Sequence, residues 1–199
     1  MSPPSRTHAF AKISKYSTPG REVYIGNMYA YEQLKKIHPT ILSICSYNCD
    51  HRDPQVIPNE FFDSAPGTHQ SSVDAINAIV RGADYIAKAH EVGPLLSHCH
   101  QGCNRSAAML ADYAILFLGE APEDAIETLR LANRNLRHNF PALTNSSFVN
   151  ILRNLKPRMQ PVTNFRMYDN NVALPLRVTI RPEIWNSLPT AKLLAMVAL

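Results

Sequence analysis

The sequence predicts an α/β domain with a mostly parallel sheet, and three observations carry that expectation. Short apolar runs, Glu22–Gly26, Thr40–Cys45 and Leu95–Leu96, read as strands and alternate with longer stretches of helical periodicity. Turn and breaker residues, Gly26, Pro39, Gly119 and Pro157, stand where those stretches should stop. The 199 residues are 45% hydrophobic and 18% charged, the make-up of one globular domain able to bury a full core.

Residues 1–21 contain Arg6, Lys12, Lys15 and Arg21 and no acid, and these four charges equal the whole net charge of +4. They read as a loosely ordered basic arm. Glu22–Gly26 is the first strand. Tyr29–Ile37 reads as a helix stopped at the His38-Pro39 step, because a residue before proline disfavours α geometry. Thr40–Cys45 is a buried strand, and residues 46–70, with Pro54, Pro58 and Pro66, form a long connection. Ser71 or Ser72 caps the next helix, with Asp74 in its first turn. Val73, Ile76, Val80, Ala83 and Ala87 give that helix one core-facing stripe. Leu95-Leu96 feeds a loop, residues 105–118 form a helix ended by Gly119, and Pro122 opens another through Asn133. Residues 145–155 form a last short helix before Pro157. The domain is therefore expected over 22–155, with 156–199 as an extension packed on or beside it. Within that extension, Leu176–Ile180 reads as an added strand and Thr190–Leu199 as a short helix.

The loop at 98–106, His-Cys-His-Gln-Gly-Cys-Asn-Arg-Ser, is the most informative stretch. Five residues separate Cys99 from Arg105, with Gly102 among them. A loop of that length between strand and helix curls so that backbone N–H groups point inward, and at a helix N-terminus this binds a phosphate-sized anion. Arg105 closes the ring with a planar, bidentate donor pair. Thiolates form readily in such a field, so the loop aims a sulfur nucleophile at the anion.

This pattern, His98, Cys99, Gly102, Arg105 and Ser106, resembles the catalytic loop of the cysteine-dependent protein tyrosine phosphatases. Val23–Asn27, Glu123–Ile126 and the segment Asn145–Phe148 with Leu152 are similar to segments of the dual-specificity branch. The resemblance covers roughly residues 22–155. It implies a central twisted sheet flanked by helices, with the site at the carboxyl ends of the strands. It also implies hydrolysis of phosphotyrosine, and of phosphoserine and phosphothreonine, in protein substrates through a phosphocysteine on Cys99. The loop residues His100, Gln101, Gly102, Cys103, Asn104 and Arg105 then hold the phosphate. Ser106 hydrogen-bonds the sulfur and improves it as a leaving group, and His98 orients the loop. His100 and Gln101 line the rim. The general acid is expected at Asp63, 36 positions before Cys99, with Asp74, Asp53 and Asp50 as rivals. No cofactor is implied.

Cys45 is open between two roles. Phosphoinositide-phosphatase relatives carry a cysteine at this place able to bond the catalytic one; alternatively it is a small buried hydrophobe. Other readings compete for the whole loop. Asn104 before Arg105 is similar to an RNA 5′-triphosphatase branch, although Ser106-Ala107 departs from its Thr-Gly. The same loop chemistry also serves phosphoinositide phosphatases. A phosphate-binding pseudophosphatase conflicts with intact Cys99, Arg105 and Asp63. A zinc module built from Cys45, Cys49, His51, His98, Cys99, His100 and Cys103 leaves Gly102 and Arg105 unexplained. The mild charge, confined to the arm, argues against nucleic acid as partner. No apolar run is long enough to span a membrane and no signal peptide is seen, and a thiolate enzyme needs a reducing compartment, so an intracellular, cytoplasmic location is expected.

Overall fold

The computed structural model describes residues 6–63, 69–136 and 141–155. The strands are β1 (Phe10–Lys12), β2 (Val23–Gly26), β3 (Leu42–Cys45), β4 (Val56–Pro58) and β5 (Leu95–His98). The helices are α1 (Ala30–Lys35), α2 (His69–Val92), α3 (Arg105–Leu118), α4 (Pro122–Leu136) and α5 (Ser146–Arg153). The strands form one sheet in the order β1-β2-β5-β3-β4. All neighbours are parallel except β1 and β2, which pair antiparallel. The α/β expectation therefore holds, and β5, which feeds the 98–106 loop, lies at the centre.

Alternation along the strands splits the core into two layers. Val23, Ile25, Ile44 and Leu95 face one way and join residues of α2, α3, α4 and α5. Tyr24, Cys45 and Leu96 face the other way and meet Ala30, Tyr31 and Leu34 of α1. Helix α3 is the hub: every residue from Arg105 to Leu116 is buried. Full burial of a side chain such as Leu110 or Met109 contributes about 1.5–3 kcal/mol. Helix α2 approaches α3 closely at Gly82, where a Cβ would overlap the Met109 side chain.

Four expectations need correction. The N-terminal arm is not loose from Phe10 onward. Ala11 and Ile13 are buried, β1 pairs with β2, and Tyr16 is buried with its hydroxyl donating to Glu120 Oε2 at 3.0 Å. Burial, followed by the charge of Glu120, pushes the Tyr16 hydroxyl well above its ordinary range. Lys15 reaches the other oxygen of Glu120 at 2.8 Å, so part of the arm's charge is spent on a surface pair. Second, the long connection contains a strand, β4, at the sheet edge, the place where a strand tolerates Pro58. Third, α2 begins at His69 rather than after Ser71 or Ser72. Fourth, its first turn holds no acid, so Asp74 is not explained by the helix dipole. The strand at 176–180 and helix at 190–199 lie outside the described residues.

Candidate active site

Strand β5 ends at His98, and the chain curls through 99–104 before α3 begins at Arg105. Cys99 is 3% exposed. Its Sγ accepts the Gly102 N–H at 3.1 Å and lies 3.4 Å from the Ser106 hydroxyl. Gly102 has a φ of +72°, a conformation that side-chain-bearing residues rarely adopt, and that turn aims its N–H at the sulfur. No side chain caps the N-terminus of α3, which leaves the positive end of the helix facing the loop interior.

Arg105 is 9% exposed. One of its terminal nitrogens donates to Ser46 O at 3.0 Å and to Phe61 O at 2.8 Å. Its Nε is buried without a partner. A guanidinium clamped at one end with a buried N–H left over is prepared to receive an anion. The loop is braced from outside as well. The Asn133 amide donates to Gly102 O at 3.1 Å, and Leu143 N donates to Cys103 O at 3.0 Å. The Cys103 thiol donates to Gln101 O at 3.4 Å. The backbone carbonyl of His98 accepts from both the N–H and the hydroxyl of Ser46, while its ring stacks on Tyr31 at 6.5 Å.

The loop opens on a cleft of about 950 Å³, whose walls include Tyr47, Phe61, Phe62, Asp63, Asp74 and Arg105. Tyr47, 41% exposed, sits 5.2 Å from the Arg105 guanidinium and 4.7 Å from the His100 ring. Phe62, also on the cleft lining, is 85% exposed. Asp63 meets the loop through amides. Asn104 Nδ2 donates to one carboxylate oxygen at 2.9 Å and Asn145 Nδ2 to the other at 2.7 Å. Asn104 Oδ1 in turn accepts the N–H groups of Thr144 and Asn145 at 2.8 and 3.1 Å. Of the rivals, Asp74 shares the cleft wall, while Asp53 is engaged by Tyr31 and by Lys35, at 2.9 and 2.6 Å. The Lys35 hydrogen bond, ahead of the others, holds the Asp53 carboxyl below its usual range. Asp50 caps the Arg52 N–H.

Cys45 faces the α1 layer, where Cys49 packs against the same cluster, and its thiol donates to Tyr47 O at 3.2 Å. Among the described residues no three His, Cys, Asp or Glu side chains converge as metal ligands, and no helix is long and apolar enough to cross a membrane. The sequence reading missed Tyr47, Asn145 and Asn133. Nothing local marks them, because each reaches the loop only through the tertiary fold.

This arrangement, a buried thiol cradled at a helix N-terminus at the carboxyl edge of a parallel sheet, sits on the fold of the dual-specificity branch of the cysteine-dependent protein tyrosine phosphatases. The chain superposes on a leucine-rich-repeat and phosphatase-domain protein of Entamoeba histolytica with a TM-score of 0.53 and 15% identity, covering 74% of this chain and 90% of the other. A mouse putative dual specificity phosphatase, complexed with zinc tungstate, matches with a TM-score of 0.50 and 20% identity over 76% and 86% of the two chains. PTPMT1 in complex with PI(5)P matches with a TM-score of 0.51 and 16% identity over 72% and 92%. No family model and no curated protein sequence matches the chain.

Proposed function

We propose that the protein is a phosphatase that hydrolyses phosphotyrosine, together with phosphoserine and phosphothreonine, in protein substrates through a phosphocysteine on Cys99. The observation that carries this reading is the convergence on one buried sulfur of the Gly102 N–H, the Ser106 hydroxyl and an uncapped helix N-terminus, beside the spare Nε of Arg105. The sulfur attacks phosphorus and the ester oxygen leaves. Arg105 and the loop N–H groups stabilise the charge spread over the equatorial oxygens. Asp63 protonates the leaving oxygen, and Asn104 and Asn145 hold its carboxyl over the cleft as positioning residues. Water then breaks the S–P bond. Ser106, within hydrogen-bond reach of the sulfur, favours its departure as thiolate.

Tyr47 and Phe62 both line the cleft, and aromatic side chains there suit a phosphotyrosyl ring. Asn104, the residue shared with RNA 5′-triphosphatases, has its side chain occupied by Asp63 and the 144–145 backbone, so its presence has a cause unrelated to RNA. The decisive experiment compares the wild type with Cys99→Ser on phosphotyrosine peptides. Turnover is expected to vanish while phosphate binding persists. A variant that still turns over would overthrow the nucleophile. The same assay run on phosphoserine peptides, phosphoinositides and triphosphate-ended RNA ranks the substrate classes by kcat/KM, and phosphopeptides are expected to lead.

A further inference from the structure

Cys45 and Cys49 stand outside the loop chemistry. Both are free thiols; Cys45 is buried at the end of β3 and Cys49 is half-buried four residues on. The turn between them passes through Asn48, whose φ of +49° folds the segment back on itself. Cys49 Sγ then lies 2.9 Å from Cys45 O, and Cys45 Sγ lies 3.2 Å from Tyr47 O. Cys49 also packs against the cluster to which Cys45 belongs, so the two thiols share one corner beside α1. The Cys49 thiol, ahead of other influences, holds the Cys45 thiol below its ordinary range, while Cys45, followed by burial, pushes Cys49 above its own. Cys45 is therefore the readier of the two to release its proton.

We propose that Cys45 and Cys49 are a disulfide-forming redox site, separate from Cys99, whose oxidant is a hydroperoxide. The oxidant enters past Cys49, the more exposed member, and meets Cys45, the readier thiolate. The Cys45 sulfur attacks a peroxide oxygen, the O–O bond breaks, and the departing oxygen takes up a proton as water or alcohol. Cys49 then attacks the Cys45 sulfenic acid. The S–S bond forms, the S–O bond breaks, and the hydroxyl leaves as water with the Cys49 proton. Two thiols lose two electrons and one peroxide gains them. The ring so closed contains Ser46 and Tyr47, which bond and cover Arg105, so the site lies in the wall of the cleft.

The pairing differs from the Cys45–Cys99 link that the sequence resemblance implies. Geometry favours Cys49, because it packs against the α1-side cluster to which Cys45 belongs and its sulfur already lies 2.9 Å from Cys45 O. The test uses the full chain carrying Cys99→Ser, which keeps three of the four cysteines. After equimolar hydrogen peroxide, the free-thiol count is expected to fall from three to one and to recover with dithiothreitol. Peptide mapping should find Cys45 joined to Cys49. Adding Cys49→Ser should abolish the disulfide and leave Cys45 as a sulfenic acid that dimedone labels, while leaving the fold, read by thermal melting, unchanged. A count that stays at three, or a link from Cys45 to Cys103, overturns the proposal. So does a wild-type protein in which Cys45 is joined to Cys99. None of these readouts depends on turnover, so they stand or fall apart from the phosphatase reading.

Discussion

The loop at 98–106 and the segment at 59–63 face the same cleft but are held in different ways. The loop hangs between the central strand and the most buried helix, and its bonds to Gly102, Ser106 and Arg105 are buried. The other segment runs from a buried anchor, past Phe61 O on Arg105, to an exposed end. Asn59 is buried, with its amide bonded to Ala78 O at 2.7 Å and its Oδ1 accepting from Arg81 at 2.8 Å. Within four residues the chain has risen to Asp63, held by two amide contacts in solvent. Rigid groups suit the part that must meet developing charge without reorganising. A loosely tethered carboxyl suits a group that gives up a proton in one step and helps water in the next.

That contrast predicts a ranking of effects. Arg105→Lys should be the most damaging of the substitutions discussed below, because an ammonium cannot both bond Ser46 and Phe61 and offer a planar fork to phosphate. A loss of kcat on the order of 10²–10³-fold is expected from steady-state assays. A loss under tenfold would show that the loop is less rigidly committed than its bonding suggests. Asp63→Ala should cost about 100-fold with a phenol-like leaving group and much less with one that needs no proton. If Asp74→Ala shows this dependence instead, the other acid on the cleft wall holds the role. Asn145→Ala removes one of the two amide tethers and should cost roughly three- to tenfold, the scale of an exposed hydrogen bond to a charge. The loss should again shrink with good leaving groups and leave KM alone, and a uniform loss would mean that Asn145 serves only the cap of α5.

The smallest effect lies outside both halves of the cleft. Burial, ahead of its other influences, depresses the His90 imidazole, which bonds the Tyr113 hydroxyl at 2.7 Å and Arg21 O at 3.1 Å. Its neutral form stabilises the fold fully above the ordinary value of 6.5, and that contribution is lost as pH falls toward the lower folded value. The melting temperature should therefore drop slightly more below pH 6.5 in the wild type than in His90→Gln. Activity profiles taken above that pH report the cleft alone.

The same contrast explains what the sequence disclosed. The 98–106 loop was legible because its anion cradle is contiguous, so spacing alone states the geometry. The parallel sheet was legible because β2, β3 and β5 each begin on apolar residues set between breaker residues. Strand β1 was hidden by its brevity and mixed sequence, Phe-Ala-Lys, and β4 by the proline within it. Asp63 was found by position, yet its tethers were not. Asn104 and Asn145 lie 41 and 82 residues away, and an amide on a loop has no periodicity to betray it. The neighbour of Cys45 was equally concealed, since a positive φ at Asn48 decides whether the chain turns back to bring Cys49 alongside.

The position of β1 bears on how the protein's charge is to be probed. Strand β2 is buried along its whole length and would be the rim of the sheet if β1 were gone. A truncation that strips the first 21 residues removes four positive charges, but it also uncovers a ladder of unpaired N–H and C=O groups ready to recruit another chain. Such a protein would be expected to self-associate, and any change in its salt response would mix electrostatics with aggregation. As it stands, the sheet ends in two strands of three residues each, one of them closed by Pro58, which are poor templates for growth. Replacing Arg6 and Lys12 by glutamine lowers the charge while leaving that guard strand in place.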